Sequence, residues 1–145
     1  MPVNANLPGM KTVLVVDDDH DILFAIRAAV ESRGYRVITA SDGNAGLNVA
    51  ERERPDLVII DMMMPKKSGF LVLERLKAKG REWMPKMIMI TANEGGRHRA
   101  YAEMLGVDEY LRKPFSMDKL LETVKRLCPL EPVSTEPKPA ESESA

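Results

Sequence analysis

The chain has 145 residues, of which 44% are hydrophobic, and its formal net charge at pH 7 is −1. This length and apolar content predict one domain with a buried core, and the small net charge gives no general attraction to nucleic acid or to anionic membranes. The single Cys128 excludes an internal disulfide and suits a reducing compartment. No apolar run approaches the ~20 residues that span a bilayer. We therefore expect a cytoplasmic protein without membrane insertion and without direct nucleic acid binding.

Composition divides the chain into three parts. Residues 1–10 carry no charged side chain and are expected to form a flexible N-terminal tail. Residues 11–128 contain regularly alternating apolar segments, and these should form the folded domain. Residues 129–145 hold four prolines, four glutamates and several serines. Their apolar content is too low to offset the entropy of ordering, which predicts a disordered Pro/Glu/Ser-rich tail.

Five segments are predicted to be strands, and each is followed by a segment with helical signals. We number both kinds of element 1 to 5 in chain order. The predicted strands are Val13–Val16, Tyr35–Ala40, Leu57–Ile60, Met87–Ile90 and Glu109–Arg112. The predicted helices are Asp21–Arg33, one capped by Asp42, one capped by Ser68, Gly96–Leu105 and one capped by Ser116. Aspartate and serine favour the start of a helix because their side chains accept hydrogen bonds from its first N–H groups, and glycines such as Gly34 and Gly106 favour its end.

The alternation of strands and helices predicts a parallel sheet with helices on both faces. Predicted strands 1, 3 and 4 are apolar throughout, so they belong in the centre of the sheet. Strands 2 and 5 include charged residues such as Arg36 and Glu109, so they belong at its edges. The strand order 2-1-3-4-5 satisfies both conditions. It defines a flavodoxin-like, doubly wound α/β fold whose ligand crevice lies beyond the carboxyl ends of strands 1 and 3.

Polar residues follow the central strands where each of them ends. Asp17–Asp19 follow strand 1, Asp61 ends strand 3 and Thr91 ends strand 4, while Lys113 follows strand 5. Each residue alone is explained by a turn, a helix cap or a surface cation. Together they lie at one rim of the sheet, where paired carboxylates suit a hard cation such as Mg²⁺. The hydroxyl and the lysine suit the oxygens of a phosphoryl group.

These residues also carry a family resemblance. The chain resembles the receiver domain of two-component response regulators, including the stand-alone chemotaxis type, over about Lys11 to Cys128. The matching segments are Val15–Asp19, Pro55–Pro65, Ile90–Ala92 and Tyr110–Phe115.

The resemblance implies that Asp61 accepts a phosphoryl group from the phosphohistidine of a sensor histidine kinase or a histidine phosphotransfer protein. It implies a Mg²⁺ site, with Mn²⁺ as an alternative ion, to which Asp18 and Asp61 bind directly. Asp17 would bind the ion through water, and Met63 would bind it through the backbone carbonyl. Such a domain catalyses only its own phosphorylation and dephosphorylation and is not otherwise an enzyme.

The resemblance implies a conformational switch as well. Thr91, Ala92 and Lys113 would form the phosphate-binding part of the switch, and Tyr110 would be its aromatic residue, coupled to Thr91. The Lys113–Pro114 bond is often cis in this family, which would direct the lysine at the site. Phosphorylation would alter the surface of helix 4, strand 5 and helix 5 for a downstream protein partner. The domain would be a monomer or a weak phosphorylation-dependent dimer.

Two alternatives remain open at this stage. The first is a receiver that forms part of a longer regulator with an output domain, since the Pro/Glu/Ser-rich segment is compatible with a linker. The second is a haloacid dehalogenase-like phosphatase, whose Asp-x-Asp motif fits Asp17 and Asp19. That class requires threonine or valine where Asp21 stands, and it would leave Asp61 without a role.

Overall fold

Parallel strands and the helices that connect them form the whole described fold. The computed structural model describes residues 10–64, 68–78, 82–92 and 96–130. Strands β1 to β5 are Thr12–Val16, Arg36–Ala40, Leu57–Asp61, Lys86–Thr91 and Glu109–Arg112. Helices α1 to α5 are His20–Glu31, Gly43–Glu53, Gly69–Leu76, Gly96–Leu105 and Met117–Leu127. Among the residues described, none of these helices has the length and apolar content to cross a membrane.

The sheet has the predicted order, β2-β1-β3-β4-β5, with all neighbouring strands parallel. Val16 at the end of β1 lies opposite Ile60 in β3, and Asp61 lies opposite Ile90 in β4. The carboxyl ends of the three central strands therefore meet at one rim. The flavodoxin-like fold predicted from the apolar pattern is confirmed.

Two core layers explain why the central strands are apolar on both faces. In β1, Val13 and Val15 belong to the cluster that α1 and α5 cover. Leu14 and Val16 belong to the cluster that α2, α3 and α4 cover. All four are at most 1% exposed, so the strand has no solvent face. This burial anchors the segment that leads directly into Asp17.

The helix caps agree with the sequence, whereas some helix boundaries do not. Asp42, Ser68 and Ser116 each accept a backbone N–H of the helix that follows. Helix α1 begins one residue earlier than predicted and ends at Glu31, since its last turn tightens towards Gly34. Phe70 is partly buried and packs against the core cluster that α2, α3 and α4 cover. Its ring also contacts α4, with 5.1 Å between the ring centroids of Phe70 and Tyr101.

Candidate functional site

Three carboxylates converge at the rim formed by β1 and β3. One oxygen from each of Asp17, Asp18 and Asp61 lies within 4.8 Å of the others. Asp17 and Asp61 are 2% and 6% exposed, whereas Asp18 is exposed to solvent. We call these three residues the acidic cluster. Divalent cations such as Mg²⁺ prefer carboxylate oxygens, and the exposed side of the cluster leaves room for water ligands.

Asp19 is adjacent in sequence but has a different role. Its carboxylate accepts hydrogen bonds from the backbone N–H groups of Asp21, at 2.9 Å, and Ile22, at 3.3 Å. These bonds make Asp19 the N-cap of α1. Its own N–H donates to Asp17 Oδ1 at 2.9 Å, which holds the Asp17 side chain in place. The run of three aspartates therefore contains two members of the acidic cluster and one helix cap.

Lys113 brings a positive charge to the acidic cluster. Its Nζ lies 3.5 Å from Asp17 Oδ2 and 3.7 Å from Asp61 Oδ2. The backbone N–H of Lys113 donates to the carbonyl of Thr91 at 2.7 Å, and the Lys113–Pro114 peptide bond is cis. One lysine thus contacts two of the three carboxylates of the acidic cluster, so its single positive charge does not neutralise them.

The pKa values of the buried carboxylates reflect this imbalance. Burial is the main cause that raises the pKa of Asp61 from its ordinary 3.8 to about 6, and the charge of Asp17 adds to it. Lys113 and the N–H of Met63 act in the opposite direction. Burial also raises the pKa of Asp17. A site where burial disfavours negative charge gains most from a bound cation, so the residues present fit Mg²⁺.

Thr91 and Tyr110 form a buried pair next to the acidic cluster. Thr91 is fully buried at the end of β4, and its side chain shares a hydrogen bond with the Tyr110 hydroxyl. That hydroxyl also lies 3.9 Å from the sulfur of Met62. On the outer side, the Arg99 guanidinium carbon lies 5.7 Å from the centroid of the Tyr110 ring. Burial raises the pKa of Tyr110, although the bond to Thr91 opposes this. The tyrosine is therefore held between the site and α4.

The remaining predicted residues lie at the rim. Met63 is 60% exposed, and its N–H donates to Asp61 Oδ1 at 3.2 Å, which orients the carboxylate. Ala92 is exposed directly after Thr91. Pro65, which ends the matching segment around Asp61, lies outside the described residues.

Gly69 is a site residue that the sequence analysis missed. It is the first residue of α3, and its N–H donates to the carbonyl of Met62 at 2.9 Å. A Cβ at this position would lie 2.5 Å from the carbonyl oxygen of Asp61 and 2.9 Å from the Cα of Met62. Only glycine allows α3 to approach the backbone of Asp61 this closely. The sequence does contain a signal for this role, namely a glycine directly after the Ser68 cap. Glycine lowers the preference for helix, so its presence in a helix indicates a packing reason.

Comparison with known proteins identifies relatives of the described domain. A family model for the response regulator receiver domain matches residues 13–125. The alkaline phosphatase synthesis transcriptional regulatory protein PhoP of Bacillus subtilis is 38% identical over 117 residues, which cover 81% of this chain and 48% of PhoP. The transcriptional regulatory protein KdpE of Mycobacterium tuberculosis is 39% identical over 117 residues, which cover 80% of this chain and 50% of KdpE. The chain spans about half the length of these curated relatives.

Solved structures share the same fold. A CheY-like receiver domain protein from Methanospirillum hungatei is 31% identical, with a TM-score of 0.74, and the match covers 81% of this chain and 92% of that one. The chemotaxis response regulator CheY4 of Vibrio cholerae is 30% identical, with a TM-score of 0.74 and coverage of 81% and 98%. Both matches span most of this chain.

Proposed function

The chain belongs to the response regulator receiver domain family of two-component signalling proteins, and on that premise we propose that Asp61 accepts a phosphoryl group. The donor is the phosphohistidine of a sensor histidine kinase or of a histidine phosphotransfer protein. The observation that carries the proposal is the position of Asp61. It ends the central strand β3, and its carboxylate lies beside Asp17, Asp18 and Lys113. Above pH 6 the pKa of about 6 leaves most of the Asp61 side chain ionised, which is the form that can act as a nucleophile.

In the proposed reaction, a carboxylate oxygen of Asp61 forms a bond to phosphorus. The phosphorus–nitrogen bond of the phosphohistidine breaks, and its electron pair stays on the imidazole nitrogen. The N–H of Met63 holds the carboxylate in position. Lys113 and the Thr91 hydroxyl, together with the backbone at Ala92, contact the phosphoryl oxygens. These groups supply positioning and positive charge, which are the main contributions of a protein to phosphoryl transfer.

The acidic cluster is our proposed Mg²⁺ site, with Mn²⁺ as an alternative ion. Asp18 and Asp61 would bind the ion directly, Asp17 through water, and Met63 through its backbone carbonyl. When bound, the ion neutralises charge on the transferring phosphoryl group. The support comes from three converging carboxylates faced by a single lysine, with burial raising the pKa of two of them.

Incubation with acetyl phosphate and Mg²⁺ is expected to add one phosphoryl group, and Asp61→Asn should abolish this incorporation. The asparagine side chain keeps the shape of aspartate but lacks a nucleophilic carboxylate. Intact-protein mass spectrometry measures the result. Asp19→Asn is the matched control, because it changes the α1 cap and leaves the proposed acceptor in place. If Asp61→Asn incorporates as much phosphate as the wild type, the acceptor is another residue.

We infer that the signal leaves through the surface of α4, β5 and α5, where a downstream protein or a second copy would bind. Thr91 precedes α4, and Lys113 precedes α5. A phosphoryl group that binds the Thr91 hydroxyl competes with the hydrogen bond between Thr91 and Tyr110. Because Arg99 of α4 lies over the Tyr110 ring, a change in the tyrosine is transmitted to α4.

Binding of the phosphoryl mimic beryllofluoride with Mg²⁺ is expected to shift amide resonances remote from the site in α4 and β5, including Tyr110. A coupling of ~1–3 kcal/mol between site and surface would change partner affinity by tenfold or more. Two-dimensional NMR measures these shifts, and Arg99→Gln is expected to reduce those in α4. If the remote shifts cluster on α1 and α2 while α4 and Tyr110 remain unchanged, the proposal that α4, β5 and α5 form the output surface is wrong.

The comparisons bear on both alternatives, the haloacid dehalogenase-like phosphatase and the longer regulator. Family membership argues against a haloacid dehalogenase-like phosphatase, and the second aspartate of its motif, Asp19, is used here as a helix cap. A receiver within a longer regulator agrees with the greater length of the curated relatives. Whether the receiver stands alone or forms part of a longer regulator, we propose that residues 11–128 are the receiver unit.

A further inference from the structure

We propose that residues Glu131–Val133 dock in a cavity beside the C-terminal end of α5, so that the chain following the domain is held against its α1–α5 side. This inference concerns a surface distant from the acidic cluster and does not depend on the proposed phosphorylation. It starts from the last described residues, Cys128–Leu130, which we call the exit segment. Beyond α5 this segment still contacts the domain.

Two contacts fix the exit segment. The buried Tyr35 hydroxyl donates to the carbonyl of Cys128 at 2.7 Å, which joins residues 93 positions apart. The side chain of Leu130 lies over Gly34, where an added Cβ would be 3.2 Å from Leu130 Cδ1. Gly34 also has a φ of +98°, which favours glycine in its own right. The direction in which the chain leaves the domain is therefore set by the turn between α1 and β2.

The cavity beside this segment has an apolar floor and a basic rim. Its volume is about 250 Å³. Tyr35 and Leu121 are 5% and 8% exposed, and they form the floor, while Arg33 and Lys125 supply two positive charges at the rim. An apolar cavity of ~150 Å³ already takes up a small hydrophobic molecule, so an aliphatic side chain fits here. The complete lining is Arg33, Tyr35, Leu121, Lys125, Pro129 and Leu130.

The next three residues of the chain match this lining. They are an acid, a proline and an apolar β-branched residue, Glu131, Pro132 and Val133. Glu131 directly follows Leu130, which lines the cavity, so the proposed docking would pair an acid with the basic rim formed by Arg33 and Lys125. Val133 lies three residues beyond Leu130, a reach of roughly 10 Å in extended backbone.

An occupant from the same chain also has an entropic advantage. Because the segment is tethered at Leu130, its effective concentration at the cavity is far above that of a separate molecule. Pro132 further restricts the unbound conformations, which lowers the entropy lost on docking. The charged pairs orient the segment, and burial of Val133 against Leu121 provides the larger gain.

The test compares the full chain with two shortened forms, residues 1–135 and residues 1–130. In the full chain and in 1–135 we expect nuclear Overhauser effects between the Val133 methyl groups and either Leu121 or the Tyr35 ring. In 1–130 the amide resonances of Gly34, Leu121 and Lys125 should shift, while those of α4 should not. If these effects are missing and 1–130 matches the full chain at every α1, β2 and α5 resonance, the proposal is wrong.

Point variants separate docking of Val133 from a general effect of shortening. Val133→Asp should reproduce the shifts of 1–130, because it introduces a charge at the apolar floor. Val133→Ile should retain the full-chain spectrum, and charge reversal by Arg33→Glu with Lys125→Glu should weaken the Overhauser effects. If truncation shifts the cavity resonances but Val133→Asp does not, Val133 is not the occupant and the proposal fails. The Asp61→Asn protein should give the same pattern, which keeps this test independent of phosphorylation.

Discussion

Asp61→Asn is expected to stabilise the metal-free protein at pH 7 to 8 by up to about 3 kcal/mol. Burial and the charge of Asp17 raise the pKa of Asp61 from 3.8 to about 6 in the folded state. The folded protein therefore holds the proton more tightly than the unfolded chain does. The contribution of Asp61 to stability is complete below pH 3.8 and is lost as the pH rises through about 6. Asparagine resembles the protonated acid, so the variant keeps this contribution to stability as the pH rises.

Urea unfolding at several pH values measures this effect. The difference in unfolding free energy between Asp61→Asn and wild type should be small at pH 4 and reach its maximum above pH 6. Glu122→Gln is the control, since it replaces an exposed acid of α5 by an amide and should give a small difference. A difference for Asp61→Asn that does not change with pH, or a loss of stability at pH 7, would contradict the account of the acidic cluster.

Addition of Mg²⁺ should reduce the stability difference between Asp61→Asn and the wild type. A cation that binds only the folded state adds RT ln(1 + [L]/Kd), about 2.7 kcal/mol at a hundredfold excess over Kd. Wild type should therefore gain more stability than Asp61→Asn, because the variant lacks one ligand. No shift of the thermal midpoint at millimolar Mg²⁺, or an undiminished shift in Asp18→Ala, would contradict the proposed metal site.

Gly69→Ala is expected to have the second large effect, with a loss of about 1–3 kcal/mol in stability and slower phosphorylation. The new methyl group would lie 2.5 Å from the carbonyl oxygen of Asp61, and backbone at the end of a buried strand cannot move aside freely. Helix α3 or Asp61 must shift instead. Denaturant unfolding and the rate of labelling by acetyl phosphate measure both consequences.

Gly96→Ala is the matched control for this substitution. Gly96 also begins a helix, but a Cβ there would have no neighbour within 4 Å. The control should be neutral or more stable by up to ~1 kcal/mol, through the higher helix preference of alanine. If both variants behave alike, the close approach of α3 to the acidic cluster is not important for the site.

The strand order could be predicted because burial on both faces leaves a direct mark in the sequence. The runs Val13–Val16, Leu57–Ile60 and Met87–Ile90 contain no polar residue, and each proved to be a central strand. Once the order is known, the convergence of Asp17, Asp18 and Asp61 follows from the register of a parallel sheet. The helix caps were predictable for a similar reason, since capping is a local interaction.

Contacts between distant side chains could not be predicted in this way. The position of Tyr110 under Arg99 depends on how α4 lies across the sheet, and periodicity does not determine that placement. The need for glycine at position 46 could not be predicted for the same reason, because it depends on how α2 packs on the sheet. Its place in α2 is unfavourable for a helix, but an added Cβ would lie 2.9 Å from both methyl groups of Val16. Only the packed structure shows that α2 needs a glycine to lie close to β1.

The most direct test of the central claim is chemical identification of the phosphorylated residue. The protein is labelled with acetyl phosphate and Mg²⁺ and then treated with borohydride, which reduces an aspartyl phosphate to the alcohol homoserine. Peptide mass spectrometry locates the homoserine. We expect it at position 61, dependent on Mg²⁺ and on the phosphodonor, and absent from Asp61→Asn. Homoserine at position 17 or 18, or labelling unaffected by removal of Mg²⁺, would contradict the proposed site.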